Sequence, residues 1–448
     1  RKAARDKEPV RVVTDYDVDG TTSSLILQAA LRILGATDMS YHIPDRFDEG
    51  YGFSVAAADA AADDGVGLIV TADIGVRDHP AVTRARQRGV DVIICDHHTP
   101  DAVLPPAYAI LNPKQDDCPY PYKELSGCGI GFKLVSGLAQ KLGLPPEAAY
   151  EYLDLVATSI AADIVPIDGE NRVLAYFGLK KVNENPSSGI RVLKELGNVQ
   201  KDMTISNLVF VIGPRVNAAG RMDDARKAVE LFIEQDAAKV PDLAEALHTD
   251  NFDRKEVDKS TTEEALAILE NDELLQQRKT TVLYQSHWHK GVVGIVASRL
   301  IDHYYRPTIV LTLSNDKVTG SARSVTGFNI YDAIHECRDL LENYGGHFYA
   351  AGMTMKTENV SAFVNKFESV VADTIQPHML VPEIEVDAEI KLKDIKQPFF
   401  NILKQFEPFG PANMRPVFIT RHVYDYKGYS RVVKEQHLRF VIHQHGGI

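Results

Sequence analysis

Cysteine is scarce: the 448 residues hold four, Cys95, Cys118, Cys128 and Cys337, with no CxxC pair among them. That excludes a disulfide scaffold and leaves reduced, structural thiols. No apolar run approaches the roughly 18 residues a membrane helix needs, and the charged start RKAARDKEP leads into no signal-peptide core. The expected location is therefore the cytoplasm, with no membrane partner. Basic charge is short too, 49 Lys and Arg against 62 Asp and Glu for a net charge of −13. No global field advertises nucleic acid, although a local cleft still can. Tandem repeats and low-complexity tracts are missing. What is present, 44% apolar and 25% charged residues, is a globular composition that excludes a mainly disordered, collagenous or coiled-coil chain. The length suits several domains. The chain opens on Arg1 and stops at Gly446-Gly447-Ile448 after a strand-like run, so it reads as a fragment of a longer protein.

From Val10 to about Pro186, short apolar runs alternate with amphipathic stretches: VRVVTD, SSLILQAALRILG, VGLIVTAD, HPAVTRARQRG, VDVIICDHH. This βαβ rhythm predicts an α/β lobe on a parallel sheet, with chemistry at the carboxyl ends of its strands. YEYLDLVATSIAADIVP reads as a helix that lasts until Pro166. From about Asp224 to Asp272 the spacing of Leu243, Leu247, Phe252 and Val257 predicts a helical connector. A second α/β lobe begins at Lys279. A third, β-rich unit begins near Pro382, and it looks like a small, incomplete barrel. The predicted divisions are residues 1–223, 224–278, 279–381 and 382–448.

Three loops at predicted strand ends carry acid or histidine. The first, Asp15-Tyr16-Asp17-Val18-Asp19-Gly20, sends alternate carboxylates into one cleft, an arrangement that hard divalent cations favour. A solvated acidic turn with a helix cap at Thr21 or Thr22 is the plainer reading of the same residues. A calcium loop of the EF-hand kind fails for want of a bidentate glutamate at the required spacing. The second loop carries Asp73, which alone suits a helix cap. The third, Asp96-His97-His98, supplies imidazole with a carboxylate, and Asp163 adds a further acid. Together they can surround two cations, Mn²⁺ or Mg²⁺, and the best reading of the residues is a phosphoesterase that uses both ions on one phosphodiester.

DYDVDG, TADIG, DHH and SIAADIVP, in this order, resemble the motif series of the DHH phosphoesterase superfamily. GPRVNAAGRM, HWHKGVVGIVASRL, GSARS and GGHFYAAG resemble further signatures of its RecJ branch. The resemblance spans nearly the whole chain. It implies a 5′ to 3′ exonuclease that degrades single-stranded DNA to 5′-mononucleotides in repair and recombination. It also implies a DHH lobe, a connecting helix, a DHH-associated lobe and an OB-type nucleic-acid-binding domain. By position, Asp17, Asp19, Asp73, His97 and Asp163 would be metal ligands, with Asp73 bridging. Asp15 would be a ligand or an orienting group, and His98 would lie by the scissile phosphate. Arg215, Asn217 and Arg221 would face the phosphates, as would Ser321, Arg323, Gly345, Gly346 and His347 across the cleft, although a surface salt bridge is the plainer role for an arginine. Arg46, Tyr51 and Phe53 would hold the 5′ end. Single-strand-binding protein and a RecQ-type helicase are the implied partners, and a monomer is expected.

Two positions depart from the pattern. Ile74 stands where RecJ-like chains commonly carry Asn or Cys, which removes a polar contact beside Asp73. Val13 stands where related pyrophosphatases carry a histidine, which points away from pyrophosphate. The remaining alternatives are a short-oligonucleotide or cyclic-dinucleotide phosphodiesterase and a non-catalytic replication scaffold. Among the third unit's aromatics, Phe399, Phe400, Phe406, Phe409 and Tyr426 are candidate stacking groups, each more readily assigned to a core.

Overall fold

The structure, a computed structural model, describes residues 2–444 other than 235, 237 and 436. In the first lobe, β1 (Val10–Thr14), β2 (Met39–His42), β3 (Leu68–Ala72), β4 (Asp91–Cys95) and β5 (Ala109–Leu111) form a parallel sheet in the order β2-β1-β3-β4-β5. The central strands are almost continuous Val and Ile because both faces are covered. Helices Val55–Asp63 and His79–Gln87 bury one face with Val13, Ile69 and Ile94. Helices Val18–Ile33, Gly127–Leu142 and Leu153–Ala162 bury the other with Val12, Val70 and Ile160. Register then decides the site. Thr14 pairs with Ala72 and Ala72 with Cys95, so Asp15, Asp73 and Asp96, each the next residue, emerge level at one edge.

The strand–helix alternation stops sooner than its sequence rhythm predicts. After Leu111 the described chain is helical as far as Gln277. Helix Leu153–Ala162 ends at Asp163, three residues before Pro166. The edge strands β2 and β5 escape a hydrophobic pattern because both are only half-buried.

The predicted connector consists of Arg226–Ile233, a 31-residue helix Val240–Glu270, and Glu273–Gln277. The long helix is shared. Val240, Ala244 and Leu247 sit in the first lobe's core, and Ala265 and Leu269 sit with Trp288 and Val293 in the second. Phe252, expected on its buried stripe, is 59% exposed. The stripe instead runs through Asn251, Arg254 and Asp258, polar where the helix crosses between lobes. Asp258 accepts from Arg254 (3.2 Å) and Arg299 (2.6 Å), and Asn251 accepts from Arg254 (2.9 Å).

The second lobe is a mixed sheet of β6 (Thr281–Tyr284), β7 (Thr308–Ser314), β8 (Lys317–Arg323), β9 (Asn343–His347) and β10 (Ala350–Met355), ordered β6-β7-β8-β10-β9. Only β6 and β7 pair in parallel. Alternation on β7 sends Ile309 and Leu311 to the core of helix Val360–Thr374, and Val310 to that of Val293–His303.

Beyond residue 382 the strands are two or three residues long and pair in twos. None of the third unit's five candidate aromatics is fully buried: Phe400 and Phe406 are exposed, and Phe399, Phe409 and Tyr426 half-buried. The unit is anchored to the first lobe just beyond Asp163. The Ile167 amide donates to the Pro411 carbonyl (2.7 Å), and Arg172 donates to the carbonyls of Gln405 (3.1 Å) and Glu407 (3.3 Å). The four cysteines are free thiols, three of them buried. Among the described residues, no helix is long and apolar enough to cross a membrane.

Candidate active site

The acidic loop after β1 turns directly into helix Val18–Ile33, whose N-cap Asp17 accepts from the Gly20 amide (3.0 Å). A side chain at position 20 would overlap the Asp15 carbonyl, so the tight return requires glycine. Asp19 is buried and held by a second helix start. It accepts from the amides of Gly127 and Cys128 (2.7 Å each) and from the Ser159 hydroxyl (2.8 Å). Helix N-termini suit carboxylates for this reason. Ser126 caps the same helix, and a Cβ on Gly127 would lie 2.8 Å from Cβ of Asp73. The run Ser126-Gly127-Cys128-Gly129 is thus part of the site. Its small residues after a cap-forming serine were the available signal.

Asp73 adopts a left-handed backbone, φ 61°, a conformation that Asp and Asn tolerate better than other side chains. Its amide donates to the Cys95 carbonyl (3.0 Å). The Thr71 hydroxyl steadies the turn by donating to the Ile74 carbonyl (2.8 Å), while the Ile74 side chain is buried in the core. At this departure from the family pattern, backbone bonds and a threonine hold the loop.

His97 Nε2 lies 3.1 Å from Asp73 Oδ1, 3.6 Å from Asp163 Oδ2 and 3.7 Å from Asp19 Oδ2. Candidate ligand atoms gather in three overlapping sets, Asp15/Asp17/Asp73, Asp19/His97/Asp163 and Asp73/His97/His98. Asp73 adjoins both ends. The buried Asp15 Oδ1 has no hydrogen-bond partner, which is what an oxygen directed at a cation requires. A donor set of carboxylate with imidazole fits Mg²⁺ or Mn²⁺. Burial first, and then mutual repulsion, raises the pKa of Asp15, Asp17, Asp73 and Asp163 in the metal-free protein.

Asp96 points elsewhere. Its Oδ1 takes the His98 amide (3.1 Å) and lies 2.8 Å from His98 Nδ1, and its Oδ2 takes the Val76 amide (2.9 Å). Burial opposes its charge, but the His98 and amide bonds prevail and bring it to about 2. The charged Asp96 therefore orients His98, whose Nε2 meets the Tyr51 hydroxyl at 3.2 Å. Burial disfavours the charged imidazole of His98, yet the Asp96 bond raises its pKa.

A cleft of about 980 Å³ opens between the lobes, lined by Arg46, Tyr51, Arg77 and His98 on one side and by Lys290 and His347 on the other. Arg46 lies over the Tyr16 ring (4.0 Å) and donates to the Gly220 carbonyl (2.9 Å), and Lys290 donates to the Arg46 carbonyl (3.0 Å). Burial, then neighbouring Arg46, Arg323 and Arg254, lowers Arg221 to about 10. Among the described residues neither Arg221 nor Arg323 has a carboxylate partner. Arg221 donates to the Gly291 carbonyl (3.2 Å), and Arg323 donates to Ser321 Oγ (2.8 Å). Gly345 is exposed beside His347. Gly346 is held at φ 153°, where a Cβ would overlap the Ala350 carbonyl.

Two expected substrate contacts lie elsewhere, and a third is engaged by the backbone of the acidic loop. Phe53 is 3% exposed and belongs to the core beneath the sheet. Arg215 is buried and donates to the carbonyls of Val211 (2.6 Å) and Leu196 (3.5 Å). Six residues separate it from Arg221, which puts the two about 120° apart around helix Gly213–Met222. Asn217, on Arg221's side, accepts from the Val18 amide (3.1 Å) and so anchors the acidic loop's helix.

A parallel-sheet lobe with a carboxylate–histidine centre, facing a mixed-sheet lobe across a cationic cleft, is the two-lobed architecture of the DHH class. The chain matches the DHH family N-terminal domain over residues 9–160, the DHHA1 domain over 277–373 and the RecJ OB domain over 386–448. The single-stranded-DNA-specific exonuclease RecJ of Salmonella typhimurium is 34% identical over 99% of this chain and 80% of its own length. That of Bacillus subtilis is 37% identical over 93% of this chain, which spans 52% of it. The crystal structure of RecJ in complex with Mn²⁺ from Thermus thermophilus superposes with a TM-score of 0.86 at 31% identity, over 98% of this chain and 63% of that one. The chain belongs to the RecJ family.

Two consequences are measurable. Asp73→Asn keeps the left-handed turn and removes one charge. A carboxylate whose folded pKa is raised binds more protons folded than unfolded. Metal-free wild-type stability should therefore fall as pH rises from about 4, the unfolded value, through the folded one. The variant should lose part of that slope, melt about 2 °C or more higher at neutral pH, and gain less from added Mn²⁺; a lower melting temperature with unchanged Mn²⁺ stabilisation would contradict the crowded-ligand account.

Arg215→Ala should cost about 2 kcal/mol in denaturant unfolding, through carbonyls left unpaired. Arg221→Ala should leave stability nearly unchanged and weaken binding of single strands. Reversal of that pattern would exchange the two roles.

Proposed function

We propose that the chain is a divalent-metal-dependent exonuclease that degrades single-stranded DNA from its 5′ end to 5′-mononucleotides, in DNA repair and recombination. The observation that carries this reading is Arg221, near enough to Asp17 of the acidic loop and to Arg323 of the second lobe to feel both charges; both arginines are half-buried and suit phosphate. The names of the relatives support the substrate. Asp17, Asp19, Asp73, His97 and Asp163, with Asp15, would hold two Mn²⁺ or Mg²⁺ ions. When bound, these supply Lewis acidity for in-line displacement at phosphorus.

The protein's own groups do the rest. Arg221 and Arg323 bind the phosphate and orient it against the acidic edge. Asp96 holds His98 with Nε2 directed into the cleft, where the imidazole can pass a proton to the leaving oxygen. Arg46 and Tyr51 stand at the cleft wall that would meet the 5′ end. The unit beyond residue 382 adds strand contacts and supports the chain just past Asp163. The same reading places the protein in the cytoplasm as a monomer, working with single-strand-binding protein and a RecQ-type helicase.

The test is digestion of end-labelled single strands of both polarities with Mn²⁺ or Mg²⁺. Mononucleotides should leave the 5′ end, duplex should resist, and a chelator should stop the reaction. Release from the 3′ end alone, or no metal-dependent hydrolysis, would overturn the proposal. Arg46→Ala should raise KM for 5′-phosphorylated strands by about ten-fold, the loss of one charge-assisted contact of about 1.5 kcal/mol, with kcat changed less. Equal effects on 5′-phosphorylated and 5′-hydroxyl strands would remove Arg46 from terminal recognition.

A further inference from the structure

The tip of the hairpin between β9 and β10 carries two aromatic residues where small polar ones are usual, and neither takes a positive φ. Pairing runs to His347 opposite Ala350, which leaves a two-residue turn, Phe348-Tyr349. Such turns favour Asn, Asp and Gly. Here two aromatic rings stand out at 41% and 53% exposure, their centroids 4.7 Å apart and their planes at 64°. Two exposed rings held against each other at a turn tip bury little surface in the fold and offer it to a ligand instead.

The turn is firmly held. The Phe348 carbonyl accepts from the Ile330 amide and the Tyr349 carbonyl from the Ser324 amide, both at 3.0 Å. Ser324 in turn donates to the Phe328 carbonyl (2.7 Å), and Phe328 and Ile330 are buried. The rings therefore project from a rigid base, which lowers the entropic cost of binding. Their position is also defined. His347, the residue before the tip, lines the interlobe cleft and feels the charges of Arg77, His98 and Lys114 on the opposite lobe. A strand whose phosphates follow that cationic wall would carry its bases toward the tip.

We propose that Phe348 and Tyr349 form a stacking platform for one nucleobase of the strand held in the cleft. This rests on the single-strand reading above and adds to it a base-contact site on the second lobe. Every base has a π-face, so the platform accepts any sequence and rejects only a missing base.

The experiment uses the full chain, metal-free, and a thymidine oligonucleotide carrying 2-aminopurine at one position, moved stepwise along the strand. Wild-type protein should quench the probe most strongly at one position. The double variant Phe348→Asn, Tyr349→Gly installs ordinary turn residues, so its melting temperature should hold. It should bind about 5-fold or more weakly and lose that quenching. An abasic residue at the same position should weaken wild-type binding by a similar factor and the variant's hardly at all. A second variant, Phe348→Leu with Tyr349→Leu, keeps apolar surface without rings and should behave like the first, while Phe348→Trp should retain quenching. Equal affinities with the same abasic profile in wild type and variants would overturn the platform. Binding is read without turnover, so the two readings part. Position-specific quenching without 5′ hydrolysis in Mn²⁺ would sink the exonuclease reading alone, and hydrolysis without position-specific loss would sink the platform alone.

Discussion

Burying several carboxylates side by side is unfavourable, and the architecture of the first lobe is organised around making it tolerable. Level register on β1, β3 and β4 brings Asp15, Asp73 and Asp96 to one edge, but each is stabilised differently. Asp19 is satisfied by two amides and a hydroxyl, and Asp96 by two amides and an imidazole. Asp15, Asp73 and Asp163 receive less, so burial and then charge repulsion raise them well above the ordinary carboxylate range. Asp96 spends its bonds on orienting His98, whereas Asp15 keeps a buried oxygen with no hydrogen-bond partner, free for a cation.

The position of the centre was legible because it depends on strand ends, and strand ends are visible as apolar runs that stop at acid or histidine. Asp15, Asp17, Asp19, Asp73, His97, His98 and Asp163 all gather where those loops meet. Roles that depend on which way a side chain turns were not legible. Phe53 sits two residues from Tyr51, yet one lines the cleft and the other fills the core. Arg215 and Arg221 share one motif but lie on different sides of a helix. Phe252 fits the apolar spacing of its helix, but at that level the helix faces the gap between lobes, where polar Arg254 and Asp258 are buried instead. The three-residue β5 and the half-buried β2 carry too little apolar contrast to be read as strands.

The gap between lobes sets the cleft. Around it, backbone carbonyls meet basic side chains: Lys290 donates to Arg46, Arg46 to Gly220 and Arg221 to Gly291. Each uses part of a cation's donor capacity, and Arg46 and Lys290 line the opening. The Arg254–Asp258–Arg299 network beneath holds one carboxylate between two guanidiniums, so the surrounding field stays positive. A protein of net charge −13 thus presents a cationic wall at the one place where a phosphate would enter, and the acidic excess elsewhere disfavours nonspecific attachment.

Separate chain units converge on this edge by different means. The first lobe contributes candidate ligands from loops whose backbones are fixed by the sheet. The second places His347 in the cleft lining from β9, whose register is set by ladder bonds to β10. The unit beyond residue 382 adds carbonyls that hold Ile167 and Arg172, close in sequence to Asp163. Asp163 ends its helix, and Ile164 follows in a left-handed conformation at φ 60°, one that β-branched side chains rarely adopt. A strained turn at a candidate ligand persists only when its surroundings hold it. The contacts from Pro411, Gln405 and Glu407 supply part of that hold, so the third unit bears on the geometry of the centre.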